Sequence, residues 1–174
     1  MPADLYNNFG DEDLAAIAAY VGQLPPVDRA IPPSELRVVG RAMVAAGIVG
    51  GFSAEAIDHR RPHVQPPAPA VTPEYGSYLV TVGACKGCHG PNLSGGPEPG
   101  APPDAKPPAN LTPAGIGHYT EADFIRALRE GVRPGGVPID SQMPWRLTRE
   151  MSDDEIRAIY QYLRTVPART YGGR

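Results

Sequence analysis

The feature that most constrains this chain is the pentapeptide Cys85–His89, Cys-Lys-Gly-Cys-His, which contains both cysteines of the 174-residue sequence. A disulfide framework distributes its cysteines along the chain, because each bridge stabilises by closing a loop. Two cysteines three positions apart close no useful loop. The pair is therefore expected to serve chemistry rather than to cross-link the fold.

The spacing C-x-x-C-H is the attachment pattern of a c-type haem. Its two thiols can form thioether bonds with the two vinyl groups of one haem, and His89 then lies beneath the iron as the proximal ligand. Gly87 allows the backbone to turn closely against the ring. The sequence therefore predicts one covalent haem c per chain, held by Cys85, Cys88 and His89.

Other sites use cysteines at this spacing. A thioredoxin-like redox pair lies in a βαβ unit, and no such pattern surrounds Cys85 and Cys88. A structural zinc site needs four ligands, whereas this segment offers at most three and the sequence has no second cysteine pair. A coincidental cysteine pair is the remaining alternative.

Met143 is the predicted second axial ligand of the iron. It lies in a loop without helical periodicity, and Pro144 stiffens the backbone beside it. Met151 is a rival, but it stands at a helix start and is expected to pack there. Met43 is expected at a core position, and His118 is an alternative ligand from the distal loop.

Ligation by His89 and Met143 decides the predicted function. A thioether is a soft, weak donor, and it raises the reduction potential relative to ligation by two histidines. Filling both axial positions also denies the iron to oxygen and to substrates. Acidic residues cluster at helix starts, where capping explains them. The residues therefore favour single-electron transfer over oxygen binding or catalysis.

Composition restricts the rest of the chain to short helices and loops. The 22 prolines and 20 glycines leave room for few regular elements, and no alternating run of β-branched residues predicts a strand.

With 16 Lys and Arg against 19 Asp and Glu, nothing favours nucleic acid or an anionic membrane as partner. The longest apolar stretch, 42–52, is too short to cross a bilayer, and the start carries no secretory signal.

Apolar spacing and capping residues predict a series of helices. They are expected at 11–24, from a cap at Ser34, from Thr72 into the cysteines, from Thr120 to Gly131 and from Ser152 to Val166, with a helical turn after Ser53. Residues 61–72 are rich in proline and predict an extended linker. The sequence therefore divides into a partial helical domain at 1–60, the linker at 61–72 and a domain at 73–174.

The beginning of the chain repeats its end without a gap. When Met1 is placed on Met143, eight of the 25 positions from Met1 to Pro25 are identical. The identical pairs are Met1 with Met143, Pro2 with Pro144, Leu5 with Leu147, Asp11 with Asp153, Ala16 with Ala158, Ile17 with Ile159, Tyr20 with Tyr162 and Pro25 with Pro167. The pattern indicates an internal repeat whose first copy contains only the last part of the repeated domain. Two unrelated helices of similar composition are the alternative.

Residues of about 72 to 168 resemble a class I cytochrome c domain. The similarity lies in a helix leading into CKGCH, the loop GPNLSGG, the segment PANLTP, a middle helix ending GVRPGG, a loop with Met143-Pro144 and the closing helix DDEIRAIYQYLRTVP. The resemblance implies an all-α fold in which three main helices surround the haem. The chain as a whole resembles the end of a tandem-haem cytochrome c, so its first part is expected to be a helical remnant of another such domain.

The resemblance also implies further site residues. Tyr119 occupies the place of an aromatic residue near a haem propionate. Asn110, Thr112 and Arg133 are placed to meet propionates as well. Ordinary turn and surface roles are the alternative for each of the four.

The setting implied by the resemblance is periplasmic or otherwise extracytoplasmic, since bacterial covalent haem attachment takes place outside the cytoplasmic membrane. The expected partners are redox proteins such as a dehydrogenase or a terminal oxidase, and the chain is expected to be an electron carrier rather than an enzyme. A cytochrome subunit or fragment of a larger dehydrogenase complex is one alternative, and a ligand-binding or sensor haem protein is another. Because a tandem protein carries an earlier C-x-x-C-H, the chain is expected to be a fragment or the product of an internal start codon.

Overall fold

A computed structural model describes residues 3–33, 35–48, 55, 57–97 and 104–173. Contacts divide the chain into two compact units, 1–65 and 66–174. The cap predicted at Ser34, the helical turn predicted after Ser53 and the repeated Met1 lie outside the described residues. Among the residues that the structure describes, no helix is both long and apolar enough to cross a bilayer.

The first unit is helical where it is described. Its elements are α1 (Ala3–Tyr6), α2 (Asp11–Gly22) and α3 (Val38–Ala45). Helix α2 ends two residues before the predicted end at Leu24, because the backbone must leave the helical path ahead of Pro25. Met43 is 37% exposed, so its expected core position is wrong, and neither α2 nor α3 contains a buried residue.

The end of the first unit folds back onto its beginning. Gly10 and Val64 form an isolated parallel β-bridge. Beside it, Nδ1 of His63 lies 2.9 Å from both carboxylate oxygens of Asp11. The opening residues of the proline-rich segment therefore belong to this unit.

The second unit contains six helices and one short hairpin in its described part. They are α4 (Pro73–Val82), α5 (Cys85–His89), α6 (Pro113–Ile116), α7 (Glu121–Glu130), β1 (Val132–Arg133), β2 (Val137–Pro138), α8 (Trp145–Thr148) and α9 (Asp153–Thr165). The two strands are antiparallel and joined through a 3-10 turn at Pro134–Gly136. Two-residue strands bury no sheet face, so helices build the core and the predicted all-α class is confirmed.

The capping residues named from the sequence begin the three longest helices of this unit. Thr72 accepts a hydrogen bond from Tyr75 N at 3.3 Å, with Pro73 in the first helical position. Helices α7 and α9 each begin with a reciprocal capping box, at Thr120 and at Ser152. Helix α7 ends at Gly131, whose φ of +68° suits glycine.

The core of the second unit lies where α4 crosses α9. Val80 of α4 and Ile156 and Leu163 of α9 are at most 1% exposed. The two backbones approach so closely that a Cβ on Gly76 would lie 2.0 Å from the carbonyl oxygen of Ala158. The crossing therefore requires glycine in α4, and it holds the helix that leads into the cysteines against the closing helix.

Candidate functional site

The pentapeptide folds as the short helix α5, which follows α4 after Gly83 and Ala84. Ala84 has a left-handed φ of 56°, a rare conformation for a residue with a side chain. Neither Cys85 nor Cys88 forms a disulfide; the first is half-buried and the second is exposed. A Cβ on Gly87 would have no heavy atom within 4 Å, so the helix is open on that side.

The state of Cys85 bears on the alternative of a thiol redox pair. Burial is the main influence on this thiol, and it raises the pKa of Cys85 above its ordinary value. Reactive cysteines of redox motifs have the opposite shift, because the thiolate is the nucleophile. The half-buried Cys85 therefore does not resemble a thioredoxin-like nucleophile.

His89 is buried and its ring is oriented by the backbone. Nδ1 of His89 donates a hydrogen bond of 2.7 Å to the carbonyl oxygen of Ala109. This bond sets the tautomer in which Nε2 has the lone pair, and it fixes the plane of the ring. The backbone is held too, since Gly95 N donates to the carbonyl of His89 at 2.8 Å. Such a histidine is prepared to ligate a metal through Nε2.

Asn110 and Thr112, which are predicted to lie near propionates, form hydrogen bonds to each other and to the end of the chain. Thr112 donates to Oδ1 of Asn110 through both its amide and its hydroxyl, at 2.9 and 2.7 Å. Asn110 Nδ2 donates to the carbonyl of Arg169 at 2.7 Å, and Arg169 N donates to Thr112 Oγ1 at 3.1 Å. Both side chains are buried, with exposures of 8% and 0%. They tie residues 168–173, here called the C-terminal strap, to the segment that orients His89.

A second set of contacts extends the C-terminal strap. Gly172 N donates to the carbonyl of Ser94 at 3.2 Å, and Asn92 donates to the carbonyl of Gly173. A Cβ on Gly96 would lie 2.5 Å from Cα of Gly172, so the two backbones touch. The sequence does not predict this strap, because the residues after Pro167 have no periodicity that would indicate packing.

Removing the hydroxyl of Thr112 is expected to loosen the C-terminal strap. Thr112→Val should destabilise the second unit by about 1–3 kcal/mol, since the buried Asn110 Oδ1 and Arg169 N lose a partner. Denaturant unfolding would measure the loss, and amide exchange at Arg169 should accelerate. Thr165→Val, which removes an exposed hydroxyl, is the control and should change stability by less than about 0.5 kcal/mol. A shift of redox potential without faster exchange at Arg169 would instead favour a propionate role for Thr112.

Tyr119 and Arg133, the other two expected propionate contacts, lie close enough to interact electrostatically. Burial raises the pKa of Tyr119, and the charge of Arg133 opposes that shift. The carbonyl of Tyr119 accepts a hydrogen bond of 2.9 Å from the hydroxyl of Tyr160, and its ring meets that of His118 edge-on at 4.8 Å. The Tyr119 hydroxyl and the Arg133 guanidinium together offer a hydrogen-bond donor and a positive charge to an anionic group.

Met143 lies in a well-defined turn between β2 and α8. Gln142 N donates to a carboxylate oxygen of Asp140 at 2.9 Å, and Met143 N donates to the Asp140 carbonyl at 3.1 Å. Lys106 forms an ion pair of 2.7 Å with Asp140, and this contact is the main reason that the pKa of Asp140 is lowered. Met143 is half-buried against the hydrophobic core. The Asp140 turn holds its backbone while the thioether remains partly accessible.

The rival ligands differ from Met143 in their surroundings. Met151 is also half-buried against the core. Its carbonyl accepts a hydrogen bond of 2.6 Å from Arg129, which also pairs with Asp153 at the start of α9. Met151 therefore belongs to the junction of α7 and α9. His118 is exposed on the surface of the unit.

These residues match the donor set that a c-type haem requires. Two neighbouring cysteines form no disulfide, an oriented histidine follows them directly, and a half-buried methionine lies in a separate loop. Cys85, Cys88 and His89 would hold the haem, and Met143 is the candidate for the remaining axial position.

Comparisons with known proteins agree with this donor set. The family model described as Cytochrome c matches residues 73–167, more than half of the chain. The chain is 37% identical over 94 residues to the cytochrome c subunit of a quinone alcohol dehydrogenase from Gluconobacter oxydans, covering 50% of this chain and 20% of the relative. It is 31% identical over 134 residues to the fructose dehydrogenase cytochrome subunit of Gluconobacter japonicus, covering 71% of this chain and 27% of the relative.

A third relative matches almost the whole chain. It is a diheme cytochrome c-type protein of Cereibacter sphaeroides, 31% identical over 188 residues, with 96% of this chain and 58% of the relative covered. The chain spans only 20% and 27% of the lengths of the two dehydrogenase subunits above. With a matching family model over its second unit and an oriented C-x-x-C-H site, the chain belongs to the cytochrome c family, whose members carry covalently bound haem c and transport electrons.

Proposed function

We propose that the chain transfers single electrons through one haem c bound to Cys85 and Cys88, with His89 and Met143 as axial ligands. The observation that carries the proposal is the 2.7 Å hydrogen bond from His89 Nδ1 to the carbonyl of Ala109, made by the histidine that directly follows Cys88. It sets the tautomer and the plane of the ring that a proximal ligand needs. When bound, haem c supplies a one-electron couple.

The protein would orient the haem ligands and keep other molecules from the iron, and it would not make or break substrate bonds. The C-terminal strap and the α4–α9 crossing hold the segments on either side of His89, and the Asp140 turn holds Met143. Tyr119 and Arg133 are the proposed contacts for a propionate. An iron with two protein ligands has no position left for oxygen or a substrate, and this favours a carrier over an enzyme.

A domain division accompanies this proposal. We propose that 73–174 is the haem domain, that 61–72 is a linker and that 1–60 is a partial domain of the same kind with a connecting helix. The family match from residue 73 supports the start of the haem domain. The boundary between the compact units, at 65 and 66, falls inside the proposed linker, whose first residues contact the first unit.

The proposed electron donor is a dehydrogenase in an extracytoplasmic compartment. Relatives named as cytochrome subunits of alcohol and fructose dehydrogenases support this choice. A subunit of a larger dehydrogenase complex is the second candidate function, and both use the same haem. Co-purification with a dehydrogenase activity would favour the subunit over a freely diffusing carrier.

A redox titration of the haem-loaded chain tests the proposal. We expect one haem per chain, one reversible electron per haem and a low-spin spectrum in both oxidation states. The reduced spectrum should not change under carbon monoxide, because both axial positions are filled by the protein. A carbon monoxide adduct forming readily in the unsubstituted protein would contradict the proposal and favour a ligand-binding or sensor haem.

A further inference from the structure

The internal repeat is also a structural repeat. In the register that places Met1 on Met143, α1 corresponds residue for residue to α8, and α2 begins at the position equivalent to the start of α9. The turn between the two helices has the same backbone hydrogen bonds in both copies. Phe9 N donates to the Tyr6 carbonyl at 3.1 Å, and Met151 N donates to the Thr148 carbonyl at 3.1 Å. The first unit therefore contains a second helix of the α9 type.

In the second unit, α9 contacts α4 at Ala158 and Tyr162, which both lie against Gly76. A Cβ on Gly76 of α4 would lie 2.0 Å from the carbonyl oxygen of Ala158 and 2.9 Å from Cβ of Tyr162. Ile159, between them, is 5% exposed. The small Ala158 and the missing Cβ of Gly76 together let the backbones meet.

In the first unit, the equivalent positions carry the same residues but are uncovered. Ala16 stands at the position of Ala158, Tyr20 at that of Tyr162, and Ile17 at that of Ile159. Ala16 is exposed, and Ile17 and Tyr20 are 39% and 65% exposed. Val21, equivalent to a leucine that is 1% exposed in α9, is 57% exposed. The face of α2 formed by Ala16, Ile17, Tyr20 and Val21 is here called the α2 face.

We propose that the α2 face is the receiving half of a second helix crossing, and that its partner is the first helix of another c-type haem domain, with glycine at the crossing point. Unspecific apolar contact would not require alanine and tyrosine at the two positions equivalent to those that face Gly76 in the second unit. The identity of Ala16 with Ala158 and of Tyr20 with Tyr162 therefore specifies the partner. The inference rests on helix packing and on the proposed division into a partial first domain and a haem domain, and it does not depend on the proposed axial ligands.

A tethered copy of α4 supplies the partner for a direct test. Residues 66–82 would be fused ahead of the full, haem-loaded chain through a flexible Gly/Ser linker of about 15 residues, which spans roughly 20 Å on average. Amide hydrogen exchange is then measured across α2. Without the fusion, α2 should exchange faster than α9, because it buries no side chain. With the fusion, we expect exchange in α2 to slow by about tenfold or more.

Two variants of the fusion provide matched controls. Alanine in place of the fused copy's crossing glycine should abolish the slowing, since any Cβ there meets the facing carbonyl. Ile17→Asp in the α2 face should abolish it as well. Exchange in α9 must stay unchanged throughout, which shows that the fused copy has not displaced α4.

Three outcomes would overturn the proposal. The first is that the glycine fusion leaves hydrogen exchange in α2 unchanged. The second is that the glycine and alanine fusions slow exchange equally, which would show that the α2 face binds apolar surfaces without specificity. The third is that the unfused chain dimerises with protection of α2, which would show that a second copy covers the face.

Discussion

Met143→Leu should leave the haem iron without its sixth protein ligand. Leucine preserves the volume of the half-buried side chain but has no sulfur, so packing changes little while ligation is lost. We expect the reduced protein to bind carbon monoxide and its spectrum to lose low-spin character. Absorption spectra with and without carbon monoxide would measure the change.

Met151→Leu is the matched control for this experiment. Met151 is also half-buried against the core, and it lies eight residues further along the chain. The same substitution there should alter neither the spectrum nor carbon monoxide binding. If Met151→Leu produces the open iron and Met143→Leu does not, the two methionines have exchanged roles and our ligand assignment is wrong.

The ligand assignment also predicts a change in potential. Met143→His should replace a soft thioether with a stronger donor and lower the reduction potential by a few tenths of a volt, a fraction of the roughly 0.8 V range that axial ligands cover. Redox titration measures the shift. An unchanged potential with an unchanged spectrum would show that position 143 does not reach the iron.

Gly76→Ala is expected to have the largest effect on stability. The added Cβ would lie 2.0 Å from the carbonyl oxygen of Ala158 and 2.5 Å from its carbonyl carbon. Both atoms are backbone, so the helices must move apart and leave gaps beside Val80 and Ile156, which are at most 1% exposed. We expect a loss of about 3 kcal/mol or more in the free energy of unfolding, at or beyond the upper end for overpacked cores.

Gly22→Ala separates this steric effect from helix propensity. A Cβ on Gly22, the last residue of α2, meets no heavy atom within 4 Å. Alanine there should be neutral or stabilising by about 0.5–1 kcal/mol, because it restricts the unfolded chain. Denaturant unfolding of the haem-loaded protein measures both variants. If Gly76→Ala costs less than about 1 kcal/mol, the crossing can open without loss and its close approach is not essential.

The attachment site and the starts of the four longest described helices, α2, α4, α7 and α9, followed from the sequence because they depend on local chemistry. Cys85, Cys88 and His89 are neighbours in sequence, so their joint role needs no knowledge of the fold. The caps at Thr72, Thr120 and Ser152 satisfy amides within their own first turns, and the structure reproduces all three. The internal repeat also followed from the sequence, because identical residues in one gap-free alignment can be recognised without a structure.

Contacts between residues far apart in sequence were decided only by the tertiary structure. The fold brings Arg169 to Asn110 and Thr112, and both bond to its backbone, a contact that their local sequence does not predict. Met43 has the spacing of a core residue, yet the folded chain leaves it 37% exposed.

The same distinction applies to the two copies of the closing helix. The sequence determines that α2 and α9 carry the same residues at the positions that receive a crossing helix. Only the tertiary structure shows that α9 is covered by α4 through Gly76 while the α2 face remains exposed. The reason is physical: local sequence specifies the shape of a helix face, but its burial depends on whether a complementary helix is brought against it.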